Sequence, residues 1–344
     1  MNLLSDDVLD ALASRAEAAD SSSAWPSESL SVLKSAGALG WSIPIEFGGS
    51  GKNTIELFRG HENIATACLT TAFILSQREA AIRQLLKGPA HLQQRYLPGL
   101  ASGDDYATVG LSQLTTSRQH MKPSLTASRL DQGRYELHGE IPWVTGADQA
   151  KVIIVGATLD DGLQILVALP GARQGVSYGE TIELASLTGS RTSLVQCDRV
   201  AIEVDDVLAG PVEKVLGAVG GGGLETSNLA LGMAEAATGY LEREVEKRAD
   251  LESVASHFRV TVDQTRDRLH ALAQSPKDAD AAMAIREECT MLALQATQTS
   301  LLMAKGAGFA KPHPVQRWTR QALFFLVWSC PRPVAAGVLS RLMA

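Results

Sequence analysis

Over the first hundred positions the apolar residues recur at helical spacing. Leu4, Val8 and Leu12 fall at i, i+4 and i+8 with Leu9 beside them, one apolar stripe on a helix. A second helix is predicted to start near Pro26, a residue suited to the first helical turn. It runs through Leu30 and Leu33 and stops at Gly37. GWSIPIEFGGSG (40–51) reads as a connection punctuated by Gly and Pro. Helical spacing returns from Glu56 to Leu100, with breaks predicted at Gly88-Pro89 and Pro98-Gly99.

After Gly103 the pattern changes. Tyr135–Gly139, Lys151–Thr158, Gln164–Leu169 and Leu194–Val204 are short β-branched or alternating runs bounded by Gly, Asp and Pro, which predicts a small antiparallel β domain. The glycines of 220–223 form a joint. They follow no Rossmann-type strand and carry no ribose-binding acid, so they are not a dinucleotide fingerprint. From Thr226 the period is helical again: Leu229, Met233, Ala237, Tyr240 and Leu241 share one face, and further segments are predicted at about 251–273, 278–304 and 314–328. The fold class expected is α+β. It has an N-terminal helical domain (1–105), a middle antiparallel β domain (106–215) and a C-terminal four-helix bundle (216–344).

Composition narrows the function. The 344 residues carry a net charge of −7 with a pI near 5.6, which argues against a nucleic-acid surface, where phosphate demands clustered Lys and Arg. The early acids of the first twenty residues do not make a signal peptide. No apolar run reaches the ~18 residues of a membrane span, and Ala322–Trp328 is expected to be a buried helix. The four cysteines have neither ligand spacing nor the look of a disulfide framework, so reduced thiols and a cytoplasmic location are expected. The seven histidines offer no ligand-spaced pair, so no metal site is expected.

Several segments resemble one family. WPSESLSVLKSAGALGWSIPIEFGGSG (25–51), LQQRYLPGLASGD (92–104), YELHGEIPWVTGADQAKVIIVGA (135–157), VAIEVDDVLAGP (200–211), GMAEAATGYLEREVEKR (232–248) and KGAGFAKPHPVQRWTRQA (305–322) are similar, in order and spacing, to segments of the acyl-CoA dehydrogenase superfamily. The resemblance covers nearly the whole chain and implies that family's helices–sheet–helices architecture.

It also implies a flavin, FAD or alternatively FMN, between the β domain and the bundle. Trp143 and Thr145 fall where the family contacts the isoalloxazine ring. A Trp face can cover such a ring, and a Thr hydroxyl can hydrogen-bond its edge. From the residues alone the pair reads rather as a core tryptophan beside a strand-end threonine; the flavin contact is what the resemblance implies. Arg248 matches an arginine that reaches the FAD pyrophosphate or adenine side. Otherwise it is a helix-end arginine interacting with the macrodipole. Gly306 belongs to the KGAGF run that replaces the family's GGxGF, allowing close backbone approach to a dinucleotide or simply a turn. Ser112 and Ser117 stand at or near the Thr and Ser of the loop over the flavin, here GLSQLTTSRQH (110–120), where the family's acid and proline are gone. Those hydroxyls either meet a ligand or satisfy their own backbone.

The main departure is at the catalytic base. Removing the α-proton of an acyl thioester calls for a carboxylate, in most members the Glu of a YEGT turn. Here that turn is Trp328, Ser329, Cys330 and Pro331, and a serine hydroxyl has no useful basicity without a partner base. The alternative family position on the first bundle helix is Gly222. Glu225, about one turn on, is the candidate relocated base, or else an acid favoured by the helix dipole. Cys330 reads either as a thiol beside the flavin or as an inert cysteine.

The resemblance therefore implies an FAD-dependent oxidoreductase acting on the CH–CH group of an acyl-CoA or other acyl thioester. It would work with an electron-transfer or flavin-reductase protein, as a homodimer or homotetramer. The alternatives are a reduced-flavin-dependent monooxygenase on the same fold, which needs no Glu base, and an inactive flavin-binding or assembly homologue.

Overall fold

The computed structural model describes residues 3–115, 122–217, 223–274 and 278–343. Five helices come first: α1 (Asp6–Ser21), α2 (Ser27–Ser35), α3 (Thr54–Ala67), α4 (Leu69–Leu85) and α5 (Ala90–Ser102). Strands follow: β1 (Ala107–Gly110), β2 (Leu125–Arg129), β3 (Tyr135–Val144), β4 (Val152–Leu159), β5 (Gln164–Pro170), β6 (Val176–Thr181), β7 (Ser193–Ile202) and β8 (Val207–Val212). Then come α6 (Leu224–Val245), α7 (Glu252–Gln274), α8 (Ala279–Phe309), α9 (Pro314–Ala322) and α10 (Arg332–Met343). An N-terminal helical domain, a middle sheet and C-terminal helices are the order the periodicity predicts.

Local chemistry explains most boundaries. Gly37, at φ 69°, follows α2 in a conformation that suits glycine. Asn53 and Glu56 open α3 with a reciprocal capping box, each side chain accepting the other's backbone N–H at 3.0 Å. The break predicted at Pro98-Gly99 is absent, because α5 runs on to Ser102. Pro98 removes one N–H from the ladder, but buried Leu97 and Leu100 hold the helix in the core, and Gly103 (φ 73°) ends it. The break between α3 and α4, at Cys68, carries no Gly or Pro signal.

The sheet order is β6-β7-β3-β2-β4-β5-β8. Antiparallel pairing dominates, but β1 and β2 both run parallel to β4. That strand is covered on both faces. Ile153, Val155 and Ala157 join the core within the β domain, while Val152 and Ile154 face the residues of α4 and α5.

The bundle is fastened to the N-terminal helices at close range. A Cβ on Gly232 of α6 would lie 2.7 Å from the Ala65 Cβ and from the Glu62 carbonyl oxygen of α3. The Thr66 hydroxyl donates to the Gly232 carbonyl at 3.1 Å. The expected buried helix over Ala322–Trp328 is instead the end of α9 and a 3-10 turn (Leu323–Leu326), with Leu323 and Val327 exposed. Those apolar side chains border a cavity rather than a core. No helix among the described residues is long and apolar enough to cross a membrane.

Candidate active site

A cavity of about 740 Å³ lies where α4, the β domain, the start of α6 and the segment after α9 meet. Its size is that of a small-molecule site. Phe73, Phe324 and Trp328 make an aromatic wall. Phe324 stacks on Trp328 with centroids 5.3 Å apart, and Phe73 meets each edge-on at 5.0 Å. Val109, Leu111, Leu323 and Val327 extend the apolar lining.

Four residues singled out in the sequence come together here: Ser112, Trp143, Glu225 and Ser329. Trp143, the last residue but one of β3, has φ 60°, an unusual conformation for a bulky residue, and is 53% exposed. The Ser112 hydroxyl donates to the Pro142 carbonyl at 3.0 Å, which secures the residue before Trp143. Glu225 sits in the first turn of α6, with Arg83 of α4 3.3 Å from its carboxylate. Among the described residues lining the cavity, Glu225 is the only acid.

Ser329 is held in a left-handed turn (φ 47°) by a residue no motif signals. Arg286 of α8 is fully buried; its Nη2 donates to the carbonyls of Phe325 and Trp328, both at 3.0 Å, and its Nη1 to the Thr290 hydroxyl at 2.8 Å. Burial lowers its pKa to about 10. Burial pushes the neighbouring Cys330 thiol up, with Arg286 only partly opposing it, which disfavours a reactive thiolate. All four cysteines are unpaired.

The other candidates lie elsewhere. Thr145 is buried and does not line the cavity; its hydroxyl lies 3.3 Å from that of Thr192, which does line it and also meets Ser190 at 3.0 Å. Arg248 donates to the Met303 carbonyl at 3.2 Å and to Asp250 at 2.9 Å, near Gly306 at the end of α8. Neither Arg248 nor Gly306 lines the cavity. Ser117 and Gly222 lie outside the described residues. Arg320 also lines the cavity, and its guanidinium donates to the Ala185 carbonyl at 2.9 Å.

Sequence reasoning missed Arg83, Thr192 and the Phe73 wall. The available signal was in α4: Ser76, Gln77 and Arg83 are polar residues on one side of a mostly buried helix, spaced to share a face.

Residues 6–104 match the family model described as acyl-CoA dehydrogenase, N-terminal domain. The chain is 24% identical over 336 residues to "Probable acyl-CoA dehydrogenase YngJ" of Bacillus subtilis (strain 168), covering 90% of this chain and 88% of that one. Residues 6–104 thus carry the acyl-CoA dehydrogenase N-terminal domain, and the chain is similar to acyl-CoA dehydrogenases along most of its length. Two solved structures share the fold of this acyl-CoA dehydrogenase homologue. Butyryl-CoA dehydrogenase from Megasphaera elsdenii has a TM-score of 0.83 at 18% identity, covering 99% of both chains. Dibenzothiophene monooxygenase from Paenibacillus sp. A11-2 has a TM-score of 0.77 at 16% identity, covering 97% of this chain and 94% of that one.

Proposed function

We propose that this acyl-CoA dehydrogenase homologue is a flavin-dependent oxidoreductase, with FAD as cofactor, that removes hydrogen across the CH–CH bond of an acyl thioester. We assign the role of base to Glu225 rather than to the residue at the usual position. The observation that carries the reading is that Glu225 is the one carboxylate, among the described residues, on the cavity that Trp143 and Ser329 also line.

The residues present suit a flavin ring. Trp143 offers an exposed aromatic face inside a mostly apolar cavity, and Ser112, Thr115, Ser186 and Thr192 supply hydroxyls around it. When bound, the flavin supplies the acceptor for the hydride. Trp143 would cover the ring and shed water. The Phe73–Phe324–Trp328 wall would hold the apolar part of the substrate and exclude solvent. Glu225 would take the α-proton on a carboxylate oxygen. Ser329, in its fixed turn, would contribute a hydrogen bond rather than a base.

Reconstitution with FAD followed by anaerobic titration with an acyl-CoA panel tests this. Bleaching of the flavin absorbance by at least one thioester is expected. Failure to take up FAD, or bound FAD that no thioester bleaches, contradicts it. A monooxygenase acting with reduced flavin is the second reading, favoured by the hydroxyl-lined cavity and by Ser329 at the usual position of the base. Oxygenation of an aromatic substrate with reduced FMN, and no anaerobic bleaching, would select it.

A further inference from the structure

Arg83 has a feature that dehydrogenation by Glu225 does not explain. Its guanidinium opens onto the cavity, and its side chain is 45% exposed. Among the described residues its one ion-pair partner is Glu225, and it donates no hydrogen bond. A guanidinium carries five N–H donors in a planar fork that matches a carboxylate with two parallel bonds. A single contact with Glu225 leaves most of that capacity open.

The setting is selective. Phe73, at the aromatic wall, and Arg83 both belong to α4, ten residues apart, or roughly 15 Å of helix rise. Along α4 the lining therefore runs from an aromatic end to a cationic one. Arg320, the other cation among the described lining residues, is already matched by Asp20 at 2.8 Å, the Gln316 amide oxygen and the Ala185 carbonyl. An uncharged acyl chain would satisfy the aromatic end and leave the Arg83 guanidinium unmatched. The geometry points to Arg83 as the subsite for a carboxylate carried on the substrate's acyl chain, which takes the guanidinium over from Glu225. The substrate class is then the monothioester of a dicarboxylic acid. Exchange of partners leaves the Glu225 carboxylate free to face the reacting carbon, so the charge on the substrate would itself release the base. This rests on the acyl-thioester reading above.

Calorimetric titration of the FAD-reconstituted full chain with adipyl-CoA and with hexanoyl-CoA, equal in chain length, is the test. The wild type is expected to bind adipyl-CoA roughly tenfold or more tightly, the scale of a charge-assisted bidentate contact. In Arg83→Gln that preference is expected to vanish while hexanoyl-CoA binds as before. Glu225→Gln, which removes the competing carboxylate, is expected to tighten adipyl-CoA severalfold and leave hexanoyl-CoA unchanged. Equal binding of the two by the wild type, or a preference that survives Arg83→Gln, overturns the subsite. Weaker adipyl-CoA binding in Glu225→Gln overturns the exchange. If neither thioester binds, the acyl-thioester reading fails, and free adipate against dimethyl adipate then decides the subsite alone. Heat with adipate that is lost in Arg83→Gln supports it, and no difference between the two compounds overturns it.

Discussion

The fully buried Asp20 carboxylate stands 2.8 Å from the Arg320 guanidinium and so joins the first helix of the chain to the last turn of α9. It also accepts the Leu187 backbone N–H at 2.9 Å and the Gln321 amide at 2.7 Å. Arg320 in turn reaches the Ala185 carbonyl. One carboxylate thus meets the N-terminal helices, the β-domain loop at 184–187 and the bundle, beside the cavity that all three enclose.

Asp20→Ala would leave two buried donors and a cation without their shared acceptor. Breaking a buried pair in this way costs about 3–5 kcal/mol, and the low end applies because Arg320 keeps some contact with water. A clear fall in Tm is expected, with weaker ligand binding at the cavity. A Tm within a degree of wild type would show that the three parts are held together elsewhere.

Lys305 interrupts α8 at φ 57° and ψ −149°, a region that is essentially glycine's. The family resemblance puts glycine there. Lys305→Gly relieves strain of roughly 1–3 kcal/mol and adds back about 0.5–1 of chain entropy, a net gain of about 1 kcal/mol. Thermal melting should show a rise of about 2 °C. An unchanged or lower Tm would mean that the lysine side chain contributes more than its backbone costs.

His61 of α3 is set among Glu79, Arg78, Arg83 and Glu225, and burial lowers its pKa below the usual imidazole value. The unfolded chain takes up this proton near pH 6.5, whereas the folded chain resists it to lower pH. Unfolded molecules therefore bind more protons as pH falls through that range, and stability falls with it. Tm measured from pH 7.5 to 5.5 is expected to decline, and His61→Gln to flatten part of the slope. Identical slopes would assign the decline to other groups.

Much of the architecture was legible because long amphipathic helices and long strands announce themselves. α6 shows its buried face at Leu229, Met233 and Ala237, and β4 opens with four β-branched residues in a row, Val152 to Val155. Short strands did not. β1, β2, β6 and β8 span four to six residues each, too few for alternation to stand out. The site divides in the same way. Trp143, Ser112, Glu225 and Ser329 could be named because the family motifs run through or near them. Arg83 and Thr192 could not, because only tertiary packing decides that their elements face the same cavity. Thr145 shows the converse: its motif is intact, yet its hydroxyl meets Thr192 rather than the open space.

The assignment of the base is tested most directly by single-turnover reduction of FAD-reconstituted protein under anaerobic conditions, comparing wild type, Glu225→Gln and Ser329→Ala with a thioester that bleaches the wild type. Removing a positioned general base costs roughly 10²–10⁴-fold. The prediction is a loss of that size in Glu225→Gln and a change of only a few-fold in Ser329→Ala. Flavin reduction in Glu225→Gln at the wild-type rate would contradict it.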